Sequence, residues 1–183
     1  MGIGAAAGAL AWLLAYLLTY VVASGRIREF QGSFLGQVAD LFGLEVPTWK
    51  VVGWVFYNAH FVDTAAGGGA GSAVGGDGGF TALLYVVPPL VLLAAGLAVG
   101  RAAGNGDAAT GALAGASVLL GYLPLSVLGT FLFEATLAGT TVGPSLLPAI
   151  LLAGVLYPAA FGAAGAGLAA LTTSGSENSS PQL

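Results

Sequence analysis

Apolar residues in this chain fall into four long blocks, with polar residues between them. Ile3 to Ala23 is an unbroken apolar run. At about 1.5 Å per residue, a helix over it reaches roughly 30 Å, the thickness of a bilayer's hydrocarbon core. Further blocks fill residues 80–100, 108–133 and 145–171. Each is long enough to span, so the pattern predicts four crossings. A cleaved signal peptide fits the first block less well, because no positive charge precedes it and the run exceeds what such a peptide needs. Proline interrupts the other three blocks, at Pro88 and Pro89, at Pro124, and at Pro158. Proline lacks an N–H and crowds the preceding turn, so each is expected to kink or divide its helix.

The connections differ from one another. From Ser24 to Glu45, Ile27, Phe30, Phe34, Leu35, Val38, Leu41 and Phe42 recur near helical spacing between charged and amide residues. This predicts an amphipathic helix on the membrane surface, interrupted near Gly32 or Gly36 and ended by Gly43. Pro47 to Val62 follows, too short for a comfortable span and carrying Lys50, Asn58 and His60 on no common face. A short helix against the bundle at the interface, or a re-entrant element, fits both facts, and a tilted fifth crossing is the alternative. Residues 27–62 thus read as one interfacial helical insertion. Residues 65–79 are glycine-rich, with no phosphate-loop pattern, and are expected to be a flexible linker. Asn105 or Asp107 can cap the third span. Residues 135–143 form a short polar connection, and 172–183 a polar, disordered tail.

Small residues recur at helical spacing in the spans. Gly4 with Gly8 permits close helix approach, and so do Gly96 with Gly100 and Gly111 with Gly115. The last two pairs flank one turn, which predicts a tight antiparallel hairpin of spans two and three. The second half of span four, AAFGAAGAGLAAL, is almost entirely small. The predicted fold is an all-α, four-span integral membrane bundle, one domain over residues 1–183.

Composition sharpens this picture. Of 183 residues, 57% are hydrophobic and 7% charged, where a soluble domain carries about 25% charged. Water could not hold such a surface dispersed, so the lipid bilayer is the expected surrounding and the cell membrane the expected location. No cysteine is present, which excludes disulfides, thiolate metal sites and cysteine nucleophiles. The net charge of -4 and the absence of a basic cluster exclude nucleic acid as a partner. Counted alone, Arg26, Arg28 and Lys50 in the first connection against Arg101 in the second favour a cytoplasmic first connection, but that connection is near the length at which the count loses force, and the orientation stays open.

Candidate chemistry concentrates in Trp49 to Asp63, WKVVGWVFYNAHFVD, which holds two of the three tryptophans and the only histidine. His60 and Asp63 would be neighbours on a helix, a pairing that can shuttle a proton or orient an imidazole. A metal would need further ligands that the sequence does not supply nearby, so neither metal nor cofactor is expected. Asn58 suits anchoring of backbone groups freed by broken helices. Glu134 ends the apolar run FLFE, at the interface or inside the bilayer. Without a nucleophile elbow or paired carboxylates, no enzyme activity is expected.

The segment GWVFYNAHF, with Trp54, Phe56, Tyr57, Asn58, Ala59, His60 and Phe61, resembles a family of small haloarchaeal multi-pass membrane proteins of unknown function, some of them labelled transporters. The order of one span, a motif-bearing connection and three further spans is also similar. The resemblance implies a motif-bearing connection outside the cell, opposite to the side given by the basic residues. Two functions follow as expectations. The leading one is a small transporter or channel-like protein, since broken helices can line a substrate path. The other is an accessory subunit that packs on itself or on a membrane protein partner through its small-residue faces.

Overall fold

The computed structural model describes residues 2–75, 79–104 and 108–177. Its helices are α1 (Gly2–Gly32), α2 (Phe34–Leu41), α3 (Thr48–Asn58), α4 (Val87–Ala103), α5 (Ala108–Ala116), α6 (Leu119–Leu132), α7 (Leu146–Pro148) and α8 (Tyr157–Glu177). Four stretches are long and apolar enough to cross a bilayer: Gly2–Gly32, Ala82–Ala103, Ala109–Leu132 and Leu146–Thr172. They coincide with the four predicted blocks. Their outer faces carry Leu10, Val21, Leu90, Leu113, Leu128 and Leu151, all exposed. Such an exterior is compatible with lipid and costly in water.

The first correction concerns where α1 ends. The helix does not stop at Ala23 but runs through the first part of the predicted insertion, carrying Gly25 within it, and no proline precedes Gly32. There it gives way to α2, whose N-cap Ser33 accepts a hydrogen bond from Gly36 N at 3.2 Å. Gly43 ends this region at φ +66, and Leu44 N bonds back to Ala39 O at 2.9 Å. Pro47 then starts α3. At 11 residues, α3 is too short for a fifth crossing.

The second correction is a small sheet, absent from an all-α expectation. Strands β1 (Thr64–Ala66), β2 (Gly69–Gly71), β3 (Ala135–Leu137) and β4 (Thr140–Pro144) are ordered β2-β1-β4-β3, all antiparallel. The first part of the expected flexible linker is therefore a hairpin. Its turn residues Gly67 and Gly68 have φ of 56° and 94°, the backbone that a two-residue hairpin turn requires. Ala138 and Gly139 make the equivalent turn in the third connection. Residues 76–78 and the proposed caps Asn105 and Asp107 lie outside the described residues. So does the second half of the expected tail. Its first residues continue α8 to Glu177, because an established helix propagates at little cost.

The prolines act unequally. Pro88 and Pro89 occupy the first turn of α4, where a missing N–H is harmless, so they start the helix instead of kinking it. A 3-10 turn, Ala82–Val86, precedes them, and the second span is divided at that junction. The third span breaks between α5 and α6, ahead of Pro124. The fourth opens into a π-helix, Ala149–Leu156, just before Pro158. A proline cannot supply the regular i to i−4 bond, and a wider turn accommodates that loss.

The glycine pairs also meet differently from expectation. Gly96 and Gly115 both face Gly162 of α8, while Gly100 and Gly111 face Ala166. Spans two and three thus pack chiefly on α8, which lies between them, rather than on each other. On the other side of the bundle, Gly4 and Gly8 meet Ser117 and Val118, and Gly121 meets Ala5. Close backbone approach of this kind replaces the hydrophobic drive that helices lack in lipid.

Candidate functional site

The second half of helix α3 is buried, at Val52, Gly53 and from Val55 to Asn58. It lies against α1 and reaches α6 through a series of polar contacts. Gly53 admits the Phe133 ring, since a Cβ there would strike it. Trp54 Nε1 donates to Phe133 O at 2.8 Å, and Lys50 Nζ donates to Glu134 O. The Tyr57 hydroxyl donates to Ser126 O. One turn on, His60 Nδ1 bonds Phe56 O at 2.8 Å and His60 Nε2 bonds the Tyr122 hydroxyl at 2.7 Å. A carbonyl only accepts, so Nδ1 carries the proton and Nε2 accepts from Tyr122. The Tyr157 ring, at the junction of the π-helix and α8, stands 5.0 Å from the imidazole.

Burial disfavours the imidazolium and lowers the His60 pKa to about 4, more than the bond to Phe56 O restores. The charged form is more accessible to the unfolded chain, near pH 6.5, so folding is fully supported above that value. Stability falls as pH drops from 6.5 towards 4. The expected loss from this one group is on the order of 3 kcal/mol at the acid end. Melting temperatures taken across this window should therefore fall less steeply in a His60→Asn variant than in the parent.

Asn58 is the second centre. Its Nδ2 donates to Val62 O at 2.9 Å and lies 3.4 Å from Thr64 Oγ1, while its Oδ1 accepts from Ala73 N at 2.8 Å. It therefore ties the end of α3 to both ends of the first hairpin. Between them Phe61 has φ 58°, an uncommon conformation for a bulky residue. Backbone bonds from Phe61 N to Asn58 O at 2.9 Å and Val62 N to Tyr57 O at 3.1 Å hold it there. Its ring stacks on Tyr85 at 4.5 Å.

The four sequence candidates do not converge. Asn58 and His60 are fully buried and adjacent, but they face different partners. Asp63 is exposed, because the turn at Phe61 ends the helix that would have paired it with His60. Glu134 is exposed at the end of α6, where its backbone carbonyl, not its carboxylate, meets Lys50. Among the described residues no group of three or more His, Cys, Asp or Glu could hold a metal.

Sequence reasoning missed the partners that complete the site. Tyr57, Tyr122 and Ser126 surround the inner end of α3, and Trp12 of α1 lies against Gly129, one turn from Ser126. Trp12 Nε1 and Ser126 Oγ are buried without a hydrogen-bond partner. A tyrosine in mid-span was the available signal, since its hydroxyl needs a partner when buried.

The sequence profile of a family described as a family of unknown function, DUF7978, matches residues 1–173. The chain belongs to that family. No curated protein and no solved structure matches it. The DUF7978 match takes in all four apolar helices, the insertion and both hairpins, so the architecture above falls inside the matched region.

Proposed function

We propose that this DUF7978 member is a multi-pass protein of the cell membrane, of the small transporter or channel-like class, and not an enzyme. One observation carries the reading. Polar groups gather inside the bundle where the end of α3 meets α6. His60, Tyr122, Tyr57 and Ser126 lie there, with the partnerless Trp12 Nε1 and Ser126 Oγ among them. Polar groups inside an apolar bundle are costly and mark pathways more often than packing. The adjoining π-helix is a form frequent at functional sites. The resemblance of GWVFYNAHF to haloarchaeal multi-pass proteins supports a multi-pass membrane protein and implies no established activity. An accessory role would use the positions the bundle leaves open, such as Gly167 of α8, since Gly4, Gly8, Gly96, Gly115 and Gly162 already meet the chain's own helices.

Two measurements test this. Alkaline carbonate should leave the protein in the membrane pellet, and release to the supernatant would contradict the membrane reading. Proteoliposomes should show flux of at least one ion or small polar solute. Ser126→Leu, which fills the polar interior, should reduce it about tenfold or more. No flux across a panel of ions and neutral solutes would overturn the transport reading.

A further inference from the structure

Two polar groups inside the bundle have hydrogen-bonding capacity that the fold leaves unused. Trp12 Nε1 and Ser126 Oγ are both buried and unpartnered. They flank one glycine of α6. Trp12 Cζ2, two bonds from Nε1, lies 2.9 Å from where a Gly129 Cβ would stand, and the Tyr57 hydroxyl borders the same point. That hydroxyl donates to Ser126 O, one turn before Gly129. Buried polar groups almost always have partners, so two orphans in one place point to a ligand. The groups around them are already committed. His60 Nδ1 bonds Phe56 O, His60 Nε2 accepts from Tyr122, and Tyr57 occupies Ser126 O. Among the described residues the buried polar side chains are Thr19, Ser24, Asn58, His60, Ser126 and Thr130, none of them Asp, Glu, Lys or Arg.

We infer that the solute this interior passes is small and uncharged and carries a hydroxyl group, as water and glycerol do. The inference rests on the transport reading above and names its solute class. An indole N–H only donates, while a serine hydroxyl both donates and accepts. An uncharged hydroxyl satisfies both groups: its oxygen accepts from Trp12 Nε1 and its proton goes to Ser126 Oγ. An anion would find these two donors but no positive charge to offset its dehydration. A cation would need free oxygens, and Phe56 O and Ser126 O already hold side-chain donors. A relayed proton fails for a different reason. The far nitrogen of His60 faces a carbonyl, which cannot pass a proton on, so a proton reaching Nε2 has no exit.

The test uses the full-length protein in proteoliposomes. Vesicle swelling under a glycerol gradient reads the uncharged solute, and entrapped dyes read potassium, sodium, chloride and protons. Glycerol should enter faster than into protein-free vesicles, while the ions and protons should move no faster. Trp12→Phe keeps an aromatic ring to stack on Tyr16 and Phe133 but loses the donor. It should slow glycerol entry by about three- to tenfold, the effect of one hydrogen bond. Its melting temperature should be no lower than the parent's, since no bond within the fold is lost. Ser126→Ala should behave in the same way. Ion or proton flux above the protein-free level would overturn this inference and leave the transport reading standing. So would glycerol entry that both variants leave unchanged. The absence of any flux would instead sink the transport reading itself, so the two failures are distinguishable.

Discussion

Gly162→Leu is expected to abolish accumulation of folded protein. Gly162 lies where three helices come closest. A Cβ at Gly96 or at Gly115 would run into the Gly162 backbone, and a Cβ at Gly162 would meet Gly115 O at 2.5 Å. A leucine has no rotamer that avoids both neighbours, because the obstruction begins at Cβ and is backbone. Overpacking a core costs about 1–3 kcal/mol where side chains can shift, and more where only backbone can. That approaches the whole stability of a typical domain, about 5–15 kcal/mol. Gly162→Ala should already lower the melting temperature. Leu168→Ala, on the exposed face of the same helix, should change it little. Size-exclusion profiles and thermal melts in detergent report all three. If Gly162→Leu ran as a monodisperse protein with the parent's melting temperature, the packing of α8 between spans two and three would be wrong.

Asn58→Leu is the second large effect. The substitution keeps the branching and the number of heavy atoms but removes every bond through which Asn58 ties α3 to the hairpin. Val62 O and Ala73 N would lose their side-chain partner. Each buried polar group left unsatisfied costs about 1–3 kcal/mol, so a loss of roughly 2–5 kcal/mol is expected. The damage should be local. Limited proteolysis should cut the turn at Gly67 and Gly68 at least tenfold faster than in the parent, since cleavage follows the open population. Asn58→Asp keeps an acceptor for Ala73 N but no donor for Val62 O, and should fall between the two. Unaltered proteolysis of Asn58→Leu would contradict the role given to this side chain.

These two residues mark what the sequence made legible. Spans were readable because a bilayer imposes a length and an apolar composition that local counting detects. Breaks at Gly32, Gly43 and Pro47 were readable because backbone chemistry is local too. The sheet was not. Its strands are three to five residues, mostly Ala, Gly and Thr, with little alternation, and β1 meets β4 from a connection two spans later, Thr64 against Pro144. Glycine spacing showed that helices would approach closely, yet the spacing at Gly96 and Gly111 is silent on which helix faces it. Pro88 and Pro89 divide the second span, one of the two outcomes expected of them, because α4 begins later than the apolar run. The stretch Trp49 to Asp63 stood out by composition. Its partners Tyr122, Ser126 and Trp12 come from other spans, and only the fold brings them to it. His60 and Asp63 looked adjacent because a helix was assumed to continue through Phe61.

The central claim is that the inner end of α3 is sealed into the bundle, with its imidazole neutral and bonded on both sides. The chain holds one histidine, so selective 15N labelling gives one imidazole to observe. Magnetic resonance of the labelled protein in lipid should find the neutral ring protonated at Nδ1. That state should persist as pH is lowered to about 5, since the pKa is held down to about 4. An imidazole that titrates near pH 6.5 and exchanges freely with water would place His60 at an open surface and contradict the account.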